Sequence, residues 1–173
     1  MPCLTGGYFT GSLIYLCAHS TSGATGLIVN RACNTSLTDL CRQLGCAEPI
    51  GHKINTIFEG GPVAPDRGLV LHTDDQVYPG SSRLAQSLIL SSGTDVLADT
   101  PNKSLPEQHL VALGYAGWGS GQLESELSED VWLTCAADLD VIFDNECDNK
   151  LARVAQAMGI DTNLLAGKIG HDS

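Results

Sequence analysis

The chain has 173 residues, 43% of them hydrophobic and 17% charged, which is one domain's length and enough to bury a core. Nine Lys and Arg against twenty Asp and Glu give a formal net charge of −11, a field that opposes direct binding to nucleic acid or to an anionic membrane. No apolar run approaches the ~20 residues of a membrane span, and no basic residue precedes Arg31, so we expect no signal peptide and a cytoplasmic protein.

Two strands come first. "LIYLCAH" (Leu13–His19) and "GLIVN" (Gly26–Asn30) flank the turn-rich "STSGAT" and read as a hairpin. In "SLTDLCRQLG", Ser36 is a capping residue with Asp39 three residues on. Leu37, Leu40, Cys41 and Leu44 share one helical face, and Gly45 ends the helix. "INTIF" (Ile54–Phe58), "GLVLHT" (Gly68–Thr73) and "SLILS" (Ser87–Ser91) read as strands. A short helix capped by Thr94 or Asp95 then stops before Pro101. "HLVALGY" (His109–Tyr115) is dense and apolar, as a strand buried on both faces is. "GQLESELSED" (Gly121–Asp130) reads as a helix with acids in its first turn. "VWLTCA" and "LDVIF" read as late strands. "DNKLARVAQAMG" (Asp148–Gly159) reads as a helix capped by Asp148. Strands outnumber helices and do not alternate with them. The expected fold is therefore α+β: one domain over residues 1–173, with a mixed or largely antiparallel β-sheet and a few packed helices.

Three stretches invite a chemical reading. In "EGGPVAPDRGLVLHT" (Glu59–Thr73), Pro62 and Pro65 remove two backbone donors and a strand follows, so a phosphate cradle is disfavoured. A turn is the better account, with Asp66, Arg67 or His72 presented to a partner as the alternative. "GYAGWGSGQLE" (Gly114–Glu124) has glycines between a strand and a helix. The dinucleotide pattern fails at Gln122 and Glu124, and the Walker pattern lacks its lysine. From Glu124 to Asp148 there are nine acids and no base. Asp144, Glu146 and Asp148 have the spacing of early calcium-loop ligands, but Asn149 and Ala155 stand where that loop needs Gly and Glu. A solvated acidic face is the simpler meaning.

Seven cysteines at 3, 17, 33, 41, 46, 135 and 147 show no C-x-x-C spacing and read as reduced thiols. Cys17-x-His19 would place two side chains on one face of a strand. Neither this pair nor any other stretch makes a metal motif. There is no nucleophile elbow and no His-Glu-x-x-His, so no residue is assigned a catalytic role.

Taken in order, "GSLIYLCAHSTSGATGLIVNR", "GGPVAPDRGLVLHT", "HLVALGYAGWGSGQLESEL", "WLTCAADLDVIF" and "MGID" with a later "GH" resemble the AlgH/YqgE family of bacterial proteins over nearly the whole chain. The resemblance implies a cytosolic, single-domain α+β protein with no cofactor, in a family some of whose members carry a transcriptional-regulator label. It supplies no catalytic residues. The residues matching its motifs are Asn30, Gly60, Gly61, Pro62, Arg67, Gly68, His72, Gly114, Tyr115, Trp118, Gln122 and Glu124. With Asp66, the polar and aromatic ones form the expected binding surface: Asn30, Asp66, Arg67, His72, Tyr115, Trp118, Gln122 and Glu124. The chain departs from the family pattern at Gly6-Gly7, at Thr10-Gly11 and around Lys150-Leu151. It also begins at Met1-Pro2, where members carry a further apolar segment.

The expectation is thus a non-enzymatic regulatory protein that acts indirectly, through a protein partner, without direct contact to nucleic acid or membrane. The alternative is a small-ligand binder or hydrolase with a cleft near Arg67, His72 and Glu124. The oligomeric state is open.

Overall fold

The computed structural model describes residues 7–47, 56–99 and 105–161. Met1-Pro2, Cys3, His52, Ile54, Pro101 and His171 lie outside them. The fold is α+β, and the chain gathers into two compact units. One contains the residues up to Arg31 and those from Gly117 on; the other spans Ala32–Ala116.

In the first unit, β1 (Ile14–Ser20) and β2 (Gly23–Ile28) form the expected antiparallel hairpin, Ile14 opposite Ile28 and Ser20 opposite Gly23. The register slips between Leu16 and Ala18, so Cys17 is the extra residue of a β-bulge. The hairpin is longer than expected, because "GAT" joins β2 and only Thr21 and Ser22 turn. The unit also holds α3 (Gln122–Ser128), α4 (Leu139–Ile142) and α5 (Cys147–Ala157). Here α3 packs on β2 and α4 on α5.

Two readings are corrected in this unit. "VWLTCA" contains no extended strand, and "LDVIF" is the helix α4. The β-branched run misleads, because the Asp138 side chain caps the segment by accepting from Asp140 N–H at 3.0 Å. Val141 and Ile142 then bury side by side, as a helical turn allows and an alternating strand does not. The capping residue of α5 is Glu146, without a side-chain cap bond, and not Asp148.

Lys150 on α5 is 0% exposed. Its ammonium donates to the carbonyls of Val29 and Ile142, at 2.7 Å each. One cation thereby ties α5 to the end of the hairpin and to the last turn of α4. Burial lowers its pKa from 10.5 to about 8, against the opposing pull of Cys147 and Asp144.

The second unit is a mixed sheet in the order β3–β7–β4–β6–β5. The strands are β3 (Ile57–Glu59), β4 (Val63–Thr73), β5 (Ser82–Arg83), β6 (Leu88–Ser92) and β7 (His109–Trp118). β3 runs parallel to β7; the other pairings are antiparallel. The last two residues of β7, Gly117 and Trp118, belong to the first unit. α1 (Leu37–Leu44) and α2 (Gly93–Asp99) supply Leu40, Cys41, Val96 and Leu97 to a core shared with Ile57, Val70, Val111 and Leu113. Each of the aliphatic side chains among them contributes roughly 1.5–3 kcal/mol by leaving water. α1 is capped as expected: Ser36 Oγ accepts from Asp39 N–H at 3.1 Å, and Gly45 is left-handed at φ +69°.

In the stretch Glu59–Thr73, the expected strand Gly68–Thr73 is present, but β4 already begins at Val63, so the turn expected around Pro65 and Asp66 is strand instead. Only Gly60–Pro62 connects β3 to β4. Pro65 sits where the β4–β7 register slips between Val63 and Gly68, a place where its missing N–H removes no ladder bond. The glycines here serve a close approach. A side-chain carbon on Gly61 (φ +151°) would stand 2.2 Å from the Tyr115 carbonyl carbon, and one on Gly114 (φ +72°) 2.3 Å from the Gly61 carbonyl oxygen.

Two outcomes follow. Gly114→Ala meets backbone and is expected to cost at least about 2 kcal/mol in urea denaturation. Gly45→Ala, which faces open space, should cost only about 1 kcal/mol. Equal costs would contradict the close packing. For Lys150, the unfolded chain keeps its proton to about pH 10.5 while the folded chain releases it at about 8. The unfolded state binds more protons between those values, so this group's contribution rises with pH across that window. The stability of the natural chain minus that of Lys150→Met is expected to increase from pH 8 to 10.5; a flat difference would show that the amine is not desolvated.

Candidate functional site

The corner from β7 into α3, within the first unit, gathers three of the expected residues: Trp118, Gln122 and Glu124. Gly119 N–H donates to Gln122 Oε1 at 2.9 Å, and Ser120 Oγ donates to the Thr21 carbonyl at 2.6 Å. Gln122 Nε2 reaches one helical turn on and donates to Glu126 Oε1 at 3.0 Å. The other oxygen of that carboxylate accepts two indole N–H groups, from Trp118 at 2.9 Å and Trp132 at 2.7 Å. These are the chain's only two tryptophans. Their rings meet edge to face at 5.7 Å, and Phe9 packs against both. Partial burial raises the pKa of Glu126, but the bonds from Trp132, Gln122 and Trp118 outweigh it and hold the carboxyl below its ordinary 4.5.

Glu124 points elsewhere. Its Oε1 lies 2.6 Å from His19 Nε2, at the far end of β1. Both side chains are about half exposed, 49% and 42%. The hydrogen bond from His19 lowers the Glu124 pKa. Cys17 Sγ points to the Tyr15 carbonyl at 3.7 Å, and burial pushes its thiol up to about 12.

The other expected residues lie apart from this corner. Asn30 is partly buried and braces its own unit: Oδ1 accepts from Leu13 N–H and Nδ2 donates to the Gly11 carbonyl, both at 2.8 Å. Asp66 and Arg67 are exposed on the irregular part of β4, and Tyr115 is half-buried on β7. His72 is 0% exposed. Its Nδ1 donates to the Thr73 carbonyl at 2.7 Å, and its Nε2 meets Ser91 Oγ at 2.7 Å. With its proton on Nδ1, the Ser91 hydroxyl is the donor to Nε2. Burial lowers the His72 pKa, opposed by the Thr73 bond and by Asp75. Trp118 is also buried, at 6%. His72 and Trp118 therefore do not offer a surface.

Among the described residues, no three His, Cys, Asp or Glu side chains are placed to hold a metal ion. Asp144 is engaged by Glu146 N–H and by Arg153, at 2.9 and 2.8 Å. The calcium-like spacing there makes local bonds. No helix among those residues is long and apolar enough to cross a membrane.

A family model described as AlgH-like matches residues 1–163. The chain belongs to the AlgH-like family. A UPF0301 protein of Stutzerimonas stutzeri is 43% identical to it, over 99% of this chain and 91% of the relative. One from Bordetella petrii is 41% identical, over 99% and 85%. The solution structure of the AlgH protein from Pseudomonas aeruginosa is similar with a TM-score of 0.79 and 37% identity, over 99% of this chain and 92% of that one. The crystal structure of a Corynebacterium diphtheriae protein, 18% identical with a TM-score of 0.67 over 90% and 81%, shares the fold.

Sequence reasoning missed two residues of this AlgH-like corner. His19 was visible only as half of a Cys-x-His pair. Glu126 stands four residues after Gln122, a spacing that brings the two together on a helix face. Nothing local points to its indole partners.

Because both tryptophans donate to Glu126, their emission reports on that carboxylate. A lowered folded pKa means that the stabilisation is present above 4.5 and is lost as pH falls through the folded value. Emission is expected to hold steady from neutral pH down to 4.5 and to change only below it. Glu126→Ala leaves two buried N–H groups without their acceptor, for roughly 2–4 kcal/mol of lost stability. An unchanged emission spectrum in that variant would remove the carboxylate from this role.

Proposed function

We propose that this AlgH-like protein acts in the cytoplasm as a regulatory protein, through a protein partner that it meets with an acidic surface, and neither as an enzyme nor by direct contact with DNA. One observation carries the reading. Of the nine acids between Glu124 and Asp148, all but Glu126 and Asp144 are exposed, and no base lies among them. Such a surface attracts a basic partner, speeds its encounter and repels a polyanion. A ligand cleft formed by Arg67, His72 and Glu124 draws no support from His72, which is buried with both ring nitrogens engaged.

A carbodiimide joins carboxylates to amines without a spacer, and it tests this reading in gently broken host cells. Cross-links from residues 124–148 to lysines of one reproducible polypeptide are expected. They should disappear at high salt, and in the triple variant Glu129→Lys, Asp130→Lys, Asp138→Lys. Salt-sensitive binding of the purified protein to a DNA duplex would overturn the proposal.

A further inference from the structure

Three cysteines of the second unit, Cys33, Cys41 and Cys46, pack on one core cluster around α1. Two of them are brought together by the way α1 ends. Gly45, left-handed, donates its N–H to the Arg42 carbonyl at 3.3 Å, and Cys46 donates its own to the Cys41 carbonyl at 2.9 Å. This pair of bonds is a Schellman motif. The motif folds the residue after the glycine back over the one five positions earlier, and a contact between their side chains frequently accompanies it; Cys46 packs against the cluster that contains Cys41. In most helices that contact is between two apolar side chains. Here both are cysteine thiols.

We propose that Cys41 and Cys46 form a reversible disulfide, a site of oxidative modification at the C-terminal turn of α1. A backbone hydrogen bond between the two residues sets their Cα atoms within the roughly 4.4–6.8 Å that a disulfide spans. Their exposures divide the labour: Cys46 is partly exposed, and Cys41 is buried at 2%. An oxidant therefore meets Cys46 first, and Cys41 resolves the product. In a reducing compartment, disulfides are mostly of this transient, redox-sensing kind.

The oxidant is a hydroperoxide, with hydrogen peroxide as the simplest. The Cys46 sulfur, its proton lost, attacks one peroxide oxygen. The O–O bond breaks, and the departing hydroxide takes up that proton, leaving a sulfenic acid and one water. The Cys41 sulfur then attacks the sulfenic sulfur. The S–O bond breaks, and hydroxide leaves with the Cys41 proton as a second water. Two thiols lose two electrons, and the peroxide gains them. The consequence reaches β4, because the turn is docked there: Gln43 Nε2 donates to the Asp66 carbonyl at 3.1 Å, and Leu44 packs against Gly68. A covalent clamp fixes the turn that carries both contacts.

The sequence makes the test direct. Trypsin cuts at Arg42, between the two cysteines, so the disulfide joins peptides 32–42 and 43–53. The full-length protein is treated with hydrogen peroxide, alkylated, digested without reductant and analysed by fragmentation mass spectrometry. The expected product is that peptide pair, lighter by two hydrogens and bridged Cys41 to Cys46, which dithiothreitol abolishes. Cys46→Ser should lose it completely, and Cys33→Ser should keep it. The inference is overturned if the bridge runs through Cys33, if the link joins two molecules, or if Cys46 passes to sulfinic acid without pairing.

Discussion

The first unit depends on a single carboxylate. Glu126 collects the indole N–H groups of Trp118 and Trp132 on one oxygen and the Gln122 amide on the other. These donors come from the end of β7, from the segment after α3, and from the first turn of α3. Without the acceptor, two large side chains would bury polar groups unpaired, and the rings that pack with Phe9 would lose their fixed orientation. Burial of the aromatic surface supplies most of the energy; the carboxylate decides which way the rings point.

Other buried polar groups play the same part. Lys150 reaches carbonyls at residues 29 and 142, and His72 is closed between Thr73 and Ser91. Among the described residues, no buried side-chain nitrogen or oxygen lacks a partner. Each group costs desolvation and returns specificity, since few other packings would satisfy it.

This contrast explains what was legible in the sequence. The elements fixed by local chemistry were readable: the cap at Ser36, the stop at Gly45, the hairpin and the apolar run of β7. So was the AlgH-like resemblance, which rests on several short stretches kept in order. The segment of α4 was misread because its β-branched residues outweighed one capping aspartate. Pro65 suggested a turn because a strand interior excludes it, while a register slip does not. The candidate site was half readable. Gln122 and Glu124 announced themselves as polar residues beside glycines. Their partners could not, since His19 stands 105 positions from Glu124, and Lys150 looks on paper like any surface lysine. Burial is a property of the whole fold, and no local pattern marked His72 as interior.

The bulge in β1 has a consequence for the chain's chemistry as a whole. It leaves Cys17 outside the strand ladder, partly exposed, with a thiol that partial burial pushes up to about 12. Cys135, by contrast, is exposed on an irregular segment. The cysteines are therefore not one population of reagents: Cys135 faces solvent, Cys17 is partly covered, and Cys41 is buried at 2%. A colorimetric thiol assay on the native protein is expected to count fewer sulfurs than the sequence contains. The missing ones return only when the chain unfolds, so the shortfall reads out the folded state without any added label.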